Sequence, residues 1–89
     1  MTTFTSNEIA FLKMVINYDD RETQKCDNYS NAGHEEAATL FNGDMKAAGG
    51  LLSSLTKKGI GWCEKEDDYD LFWLNEDAID TVYDALGLE

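Results

Sequence analysis

The chain contains no proline, and its 89 residues include only one arginine, one histidine and two cysteines. Each scarcity excludes something. With no proline, no low-complexity run and no internal repeat, nothing marks a linker or a second domain, and the length suits one domain with a modest core. Cys26 and Cys63 are too few for a disulfide framework. A Cys26–His34 metal pair would need further ligands at zinc spacing, and Cys63 alone does not complete a set of four. No motif marks a cysteine–histidine nucleophile pair either. Gly43, Gly49 and Gly50 fit neither dinucleotide nor phosphate-loop spacing. These absences leave no basis for expecting an enzyme, a metal or a cofactor. No apolar run approaches the roughly 18 residues that cross a membrane. Met1 to Ser6 lacks a basic stretch followed by an apolar one, so no signal peptide is expected. A cytosolic location follows by default. There Cys63 reads as a buried thiol, Cys26 as an exposed one, and a disulfide between them is not expected.

What the chain has in excess is acid. Eighteen acidic residues face seven basic ones, for a formal net charge of −11. That average field repels a polyanion such as DNA. Three explanations compete: solubility, a partner with a basic surface, and adaptation to high salt. Six lysines and six asparagines speak against the last. Hydrophobic residues at 43 % and aromatics at 11 % suffice for a core, whereas disordered chains are poorer in both.

Along the chain, Thr5-Ser6-Asn7-Glu8 reads as a capping box. Behind it Ile9, Leu12, Val15 and Ile16 recur at helical spacing, which predicts a first helix of roughly twelve residues. Residues 19–33 are polar. The first few extend that helix on one reading, and Asn28 to Gly33 reads as a loop. So long a structureless segment is uncommon in a small domain, so either part of it is helical or it has a role. His34 to Phe41 predicts a short second helix with acids in its first turn. Asn42-Gly43-Asp44 forms a turn ending in an N-cap. A third helix follows from Met45 to Lys58, with Ala48, Leu51, Leu52 and Leu55 inward and Gly59 as C-cap. Ile60 to Glu64 and Leu71 to Leu74 read as two strands around a polar tip. Asn75 is placed to cap a last helix, Glu76 to Leu86, whose Ile79, Val82, Tyr83 and Leu86 form one apolar stripe. Trp62 and Trp73 lie on the two strands. The expectation is that both rings close the core beneath the hairpin, although one exposed ring would be a contact hot spot.

Helix, helix, helix, strand, strand, helix is the order of an α+β winged-helix domain, with the turn at Asn42–Asp44 making a helix-turn-helix. The segment Ala48 to Ala78, about a third of the chain, resembles winged-helix regulators of the multiple-antibiotic-resistance-regulator (MarR) type. Leu51-Leu52-Ser53-Ser54-Leu55-Thr56-Lys57-Lys58-Gly59-Ile60 is similar to the end of that family's recognition helix. Leu71-Phe72-Trp73-Leu74-Asn75-Glu76-Asp77-Ala78 is similar to the returning wing strand and the next helix. The resemblance implies a DNA-binding regulator, usually a dimer through terminal helices. Here those helices are short, so a monomer or a weak homodimer is expected.

The departures from that pattern are specific. Gly49-Gly50 offers no side chain where an arginine is expected, and two helical glycines cost about 1 kcal/mol each relative to alanine. Such a pair either lets another backbone approach closely, from a helix of the same domain or from a partner, or is a tolerated weak point, and close packing is the expectation. The wing tip, Lys65 to Asp70, has one lysine and four acids. The single arginine, Arg21, lies in the polar segment.

Two functions therefore stand against each other. One is nucleic-acid binding in transcription regulation through Lys46, Gly50, Ser53, Ser54, Lys57 and Lys58. It draws on the stretch Met45 to Cys63, which holds three lysines and no acid. The other is an acidic protein-interaction module, such as a DNA mimic, binding a basic partner through Glu66, Asp67, Asp68, Asp70, Asp77, Asp80 and Asp84. Small size and acidity also resemble accessory proteins of phages and mobile elements. Each has a plain structural counterpart: Lys57 and Lys58 as charges at a helix C-terminus, Ser53 and Ser54 as a solvated face, the acids as solubilising surface.

Overall fold

The computed structural model describes residues 3–65 and 70–89. Helix α1 (Ser6–Val15) starts at the expected capping box. Glu8 N donates to Thr5 Oγ1 at 3.1 Å, and Thr5 N donates to Glu8 Oε1 at 2.8 Å. The helix stops earlier than expected because Ile16 adopts extended backbone, φ −71° and ψ 150°. The following residues therefore do not prolong it. They form a separate helix, α2 (Arg21–Cys26), capped by Asp20, whose carboxylate accepts Thr23 N at 2.9 Å.

The rest of the polar segment is not an idle loop. Ala32 O accepts Phe72 N at 2.8 Å. Ser30 Oγ donates to Phe72 O at 2.6 Å. Residues 30–32 thus lie along the free edge of the hairpin and satisfy backbone groups that an edge strand would leave open. At Gly33 the chain runs so close to the hairpin that an added Cβ would sit 1.9 Å from Asp70 O.

Helix α3 (His34–Ala38) tightens into a 3-10 turn over Thr39–Phe41. Asn42 and Gly43 then take left-handed backbone, φ 55° and 87°. Asp44 caps α4 (Met45–Lys57), its Oδ1 accepting Lys46 N at 3.0 Å and Ala47 N at 3.2 Å. The helix closes at Gly59, φ 77°, where Ile60 N bonds back to Leu55 O at 3.1 Å, the Schellman closure that glycine permits. Strands β1 (Gly61–Lys65) and β2 (Asp70–Leu74) pair antiparallel, with Trp62 opposite Trp73 and Cys63 opposite Phe72. A 3-10 turn, Glu76–Ala78, leads into α5 (Ile79–Leu86). Asn75 does not cap it. Its Nδ2 donates instead to Gly59 O at 3.0 Å, tying the end of β2 to the end of α4.

The architecture is α+β and winged-helix-like: helices α1, α3 and α4 in mutual contact, a two-stranded hairpin against α4, and a C-terminal helix on α1 and α2. The core gathers Phe11, Leu12, Val15, Ala48, Leu52, Leu55, Ile60, Phe72, Leu74, Ile79, Val82 and Tyr83. Phe11 meets Phe72 edge to face at 5.8 Å. Burying these side chains is the main favourable term for a domain this size. Buried polar groups are paired. Gln24 accepts from Asn17 N at 2.9 Å and from the Tyr83 hydroxyl at 3.2 Å, and donates to Asn28 Oδ1 at 3.1 Å. Among the described residues no helix is long and apolar enough to cross a membrane.

Candidate functional site

The inward residues of α4, Ala48, Leu51, Leu52 and Leu55, are those the heptad-like spacing predicts. They fix the opposite face, where Lys46, Gly50, Ser53 and Lys57 are all exposed. Steps of four, three and four residues keep these positions on one stripe. Lys46 and Lys57 are eleven residues apart. At about 1.5 Å and 100° per residue they stand about 16 Å apart, within about 20° around the axis. Among the described residues neither lysine has an ion-pair partner.

The remaining two residues predicted for this surface belong elsewhere. Ser54 Oγ donates to Glu8 Oε2 at 2.9 Å, and Lys58 Nζ donates to Glu8 Oε1 at 2.6 Å and to Thr3 O at 2.8 Å. Lys58 also lies 5.5 Å from the Phe4 ring centroid. The reason is Glu8, which is 1 % exposed. A buried carboxylate requires a cation and hydrogen bonds, and the last turn of α4 supplies both. Burial works to raise the Glu8 pKa. Lys58, the Thr5 backbone and Ser54 outweigh it, and the carboxyl titrates below its ordinary value.

The glycine pair admits no other backbone among the described residues. A Cβ at Gly50 would meet nothing within 4 Å, and one at Gly49 only His34 Nε2 at 3.8 Å. Among the described residues no other backbone comes within 4 Å of a Cβ at either position, so the close backbone approach expected within the domain is not made, and the α3 side chain His34 alone contacts Gly49. What Gly50 leaves is open space midway along the exposed stripe.

The predicted acidic surfaces are altered in the same way. Arg21 donates to Asp80 at 3.2 Å, to Asp84 at 2.8 Å, and to the carbonyls of Leu88 and Glu89 at 3.0 and 2.7 Å. Lys25 Nζ lies 2.9 Å from Asp80. Hydrogen bonds from Lys25, and after it Arg21, hold the Asp80 carboxyl below its usual range. Asp80 and Asp84 therefore bind α5 to α2 and do not form an unopposed acidic face, while Asp77 stays exposed. Asp70 is not a free tip acid either. Its carboxylate meets the His34 ring and accepts His34 N at 3.2 Å, so β2 caps α3. Glu66, Asp67 and Asp68 lie outside the described residues.

The tryptophans also depart from expectation. Phe72 and Leu74 take the inner face of β2, so Trp73 must point outward, and its partner Trp62 with it. The rings stack 6.2 Å apart on the outer face, and Trp62 is 47 % exposed. Cys26 is exposed as predicted, whereas Cys63 is only half-buried. Among the described residues, no three or more His, Cys, Asp or Glu side chains gather where they could hold a metal ion. No family model, curated protein or solved structure matches the chain.

Proposed function

We propose that the protein is a small winged-helix regulator that binds duplex nucleic acid through the outer face of α4. The observation that carries this reading is the α4 stripe: two lysines without an ion pair among the described residues, about 16 Å apart on either side of the open position Gly50. A major groove is about 12 Å wide. Flexible lysine stems at the two ends of a helix lying in it reach the phosphates that flank it, while the Cβ-free centre lets the helix backbone approach. The Ser53 hydroxyl adds one neutral donor. The resemblance of Ala48 to Ala78 to MarR-type regulators supports the same use of the fold.

The electrostatics set a modest scale. Two phosphate contacts correspond to a slope of log affinity against log salt of about −1.8. With the remainder of the chain strongly acidic, binding is expected to be weak and confined to low ionic strength. The test is fluorescence anisotropy of a labelled mixed-sequence duplex at about 50 mM salt, where phosphate contacts are strong. Saturable binding that K46A/K57A weakens supports the reading. Absence of binding at that ionic strength overturns it.

A second reading, an acidic protein-interaction module, is favoured by one specific observation: a stacked tryptophan pair on the outer face of the hairpin, with Trp62 exposed.

A further inference from the structure

The outer face of the hairpin consists of Trp62, Glu64, Leu71 and Trp73, because β1 and β2 pair with 62 opposite 73 and 64 opposite 71. The two indoles are nearly parallel, 19° between planes. Trp73 Nε1 donates to Glu64 Oε2 at 2.7 Å. That bond fixes the Trp73 ring and places a carboxylate beside the stack. Trp62 lies over this fixed ring with much of its own surface open to solvent. Two stacked indoles held by a strand pair and a hydrogen bond form a π surface that needs little ordering on binding.

Tryptophan is the best side-chain ring for a cation, and a carboxylate at its edge gives the same cation a charge-assisted hydrogen bond. We propose that this outer wing face is a docking site for an arginine or lysine side chain on a basic segment of a partner protein. The inference deepens the second reading above and does not depend on α4. Charge complementarity selects the occupant: a net charge of −11 attracts basic segments over distance, and the Trp62–Glu64 pair supplies the short-range recognition. The same carboxylate disfavours a nucleic-acid strand stacking on Trp62.

The test uses the full chain and a labelled oligo-arginine peptide, with oligo-glutamate and glycine–serine peptides as controls. Anisotropy is read at about 150 mM salt, where charges more than about 8 Å apart are screened. Saturable binding of the arginine peptide alone is expected. Trp62→Ala should weaken it at least about threefold, the scale of one exposed cation–π contact. Glu64→Gln, which keeps an acceptor for Trp73 Nε1 and guards against a folding defect at position 62, should also weaken it. K46A/K57A should leave it unchanged, which separates this result from failure of duplex binding. Equal peptide binding by wild type, W62A and E64Q would reduce the effect to net charge and overturn the proposal. So would a silent arginine peptide, including the cases where single-stranded oligothymidylate or a second copy of the chain occupies the Trp62 face instead.

Discussion

Arg21 and Lys25 at the α2–α5 edge and Lys46 and Lys57 on α4 are surface cations in the same acidic chain, in opposite situations. At the α2–α5 edge the cations are matched: Arg21 reaches two carboxylates and two carbonyls, and Lys25 reaches Asp80. On the outer face of α4 they are unmatched, with no ion pair among the described residues. The contrast continues within α4 and its cap, since Lys58 is bound to buried Glu8 while its neighbour Lys57 faces solvent. A formal charge of −11 therefore says little about where positive charge is available. Acids and bases pair where α2 meets α5 and where α1 meets α4, whereas among the described residues Lys13, Lys46 and Lys57 form no ion pair, and two of these three lie on the α4 stripe.

The sharpest way to break this comparison is to exchange neighbours. Lys58→Ala leaves Glu8 buried without its cation and is expected to lower stability by on the order of 3 kcal/mol. Lys57→Ala should stay within about 0.5 kcal/mol. Urea denaturation of the two variants checks this, and equal losses would erase the distinction between the two lysines. The same pair has a pH signature. Because the Glu8 carboxyl is held below its ordinary value of 4.5 when folded, its contribution to stability is present above that value and is lost as pH falls through the folded pKa. Glu8→Gln should flatten the fall in unfolding free energy below about pH 4.5 relative to wild type.

A smaller effect sharpens the functional side. Gly50→Ala adds a methyl group to open space, so it should stabilise the helix by about 0.5–1 kcal/mol. If α4 approaches a duplex through this patch, the same variant binds DNA more weakly. Gain of stability together with unchanged binding would remove the glycine patch from the interface. A smaller loss than that of Lys58→Ala is expected for Arg21→Ala, whose carboxylate partners are exposed. Its melting temperature should fall less than that of Lys58→Ala, and duplex binding should be unchanged.

The legible parts of this fold were those set by local chemistry. Thr5–Glu8, Asp44 and Gly59 each announce a helix end through a side chain or a glycine a few residues away, and each does so in the structure. The inward stripe of α4 follows from period alone. The illegible parts depend on partners distant in sequence. Glu8 and Lys58 are fifty residues apart, and nothing local distinguishes Lys58 from Lys57. The edge pairing of Ala32 with Phe72 likewise joins a polar segment to a strand far along the chain. Helix α2 did carry a local signal, Asp20 three residues before Thr23, an N-cap spacing obscured by the acids around it. The tryptophan faces were obscured because Leu71-Phe72-Trp73-Leu74 is apolar throughout, so alternation could not show which face is inward until Phe72 met Phe11.

The central claim, that the unmatched lysines of α4 form a phosphate-contacting surface, is tested most directly by comparing salt dependences. Affinity for one duplex would be measured across salt concentrations for wild type and K46A/K57A. The account predicts that the double variant loses nearly all of a slope of about −1.8, close to 0.9 for each lysine. Duplex binding whose slope is the same in both proteins would contradict it and move the contact surface away from α4.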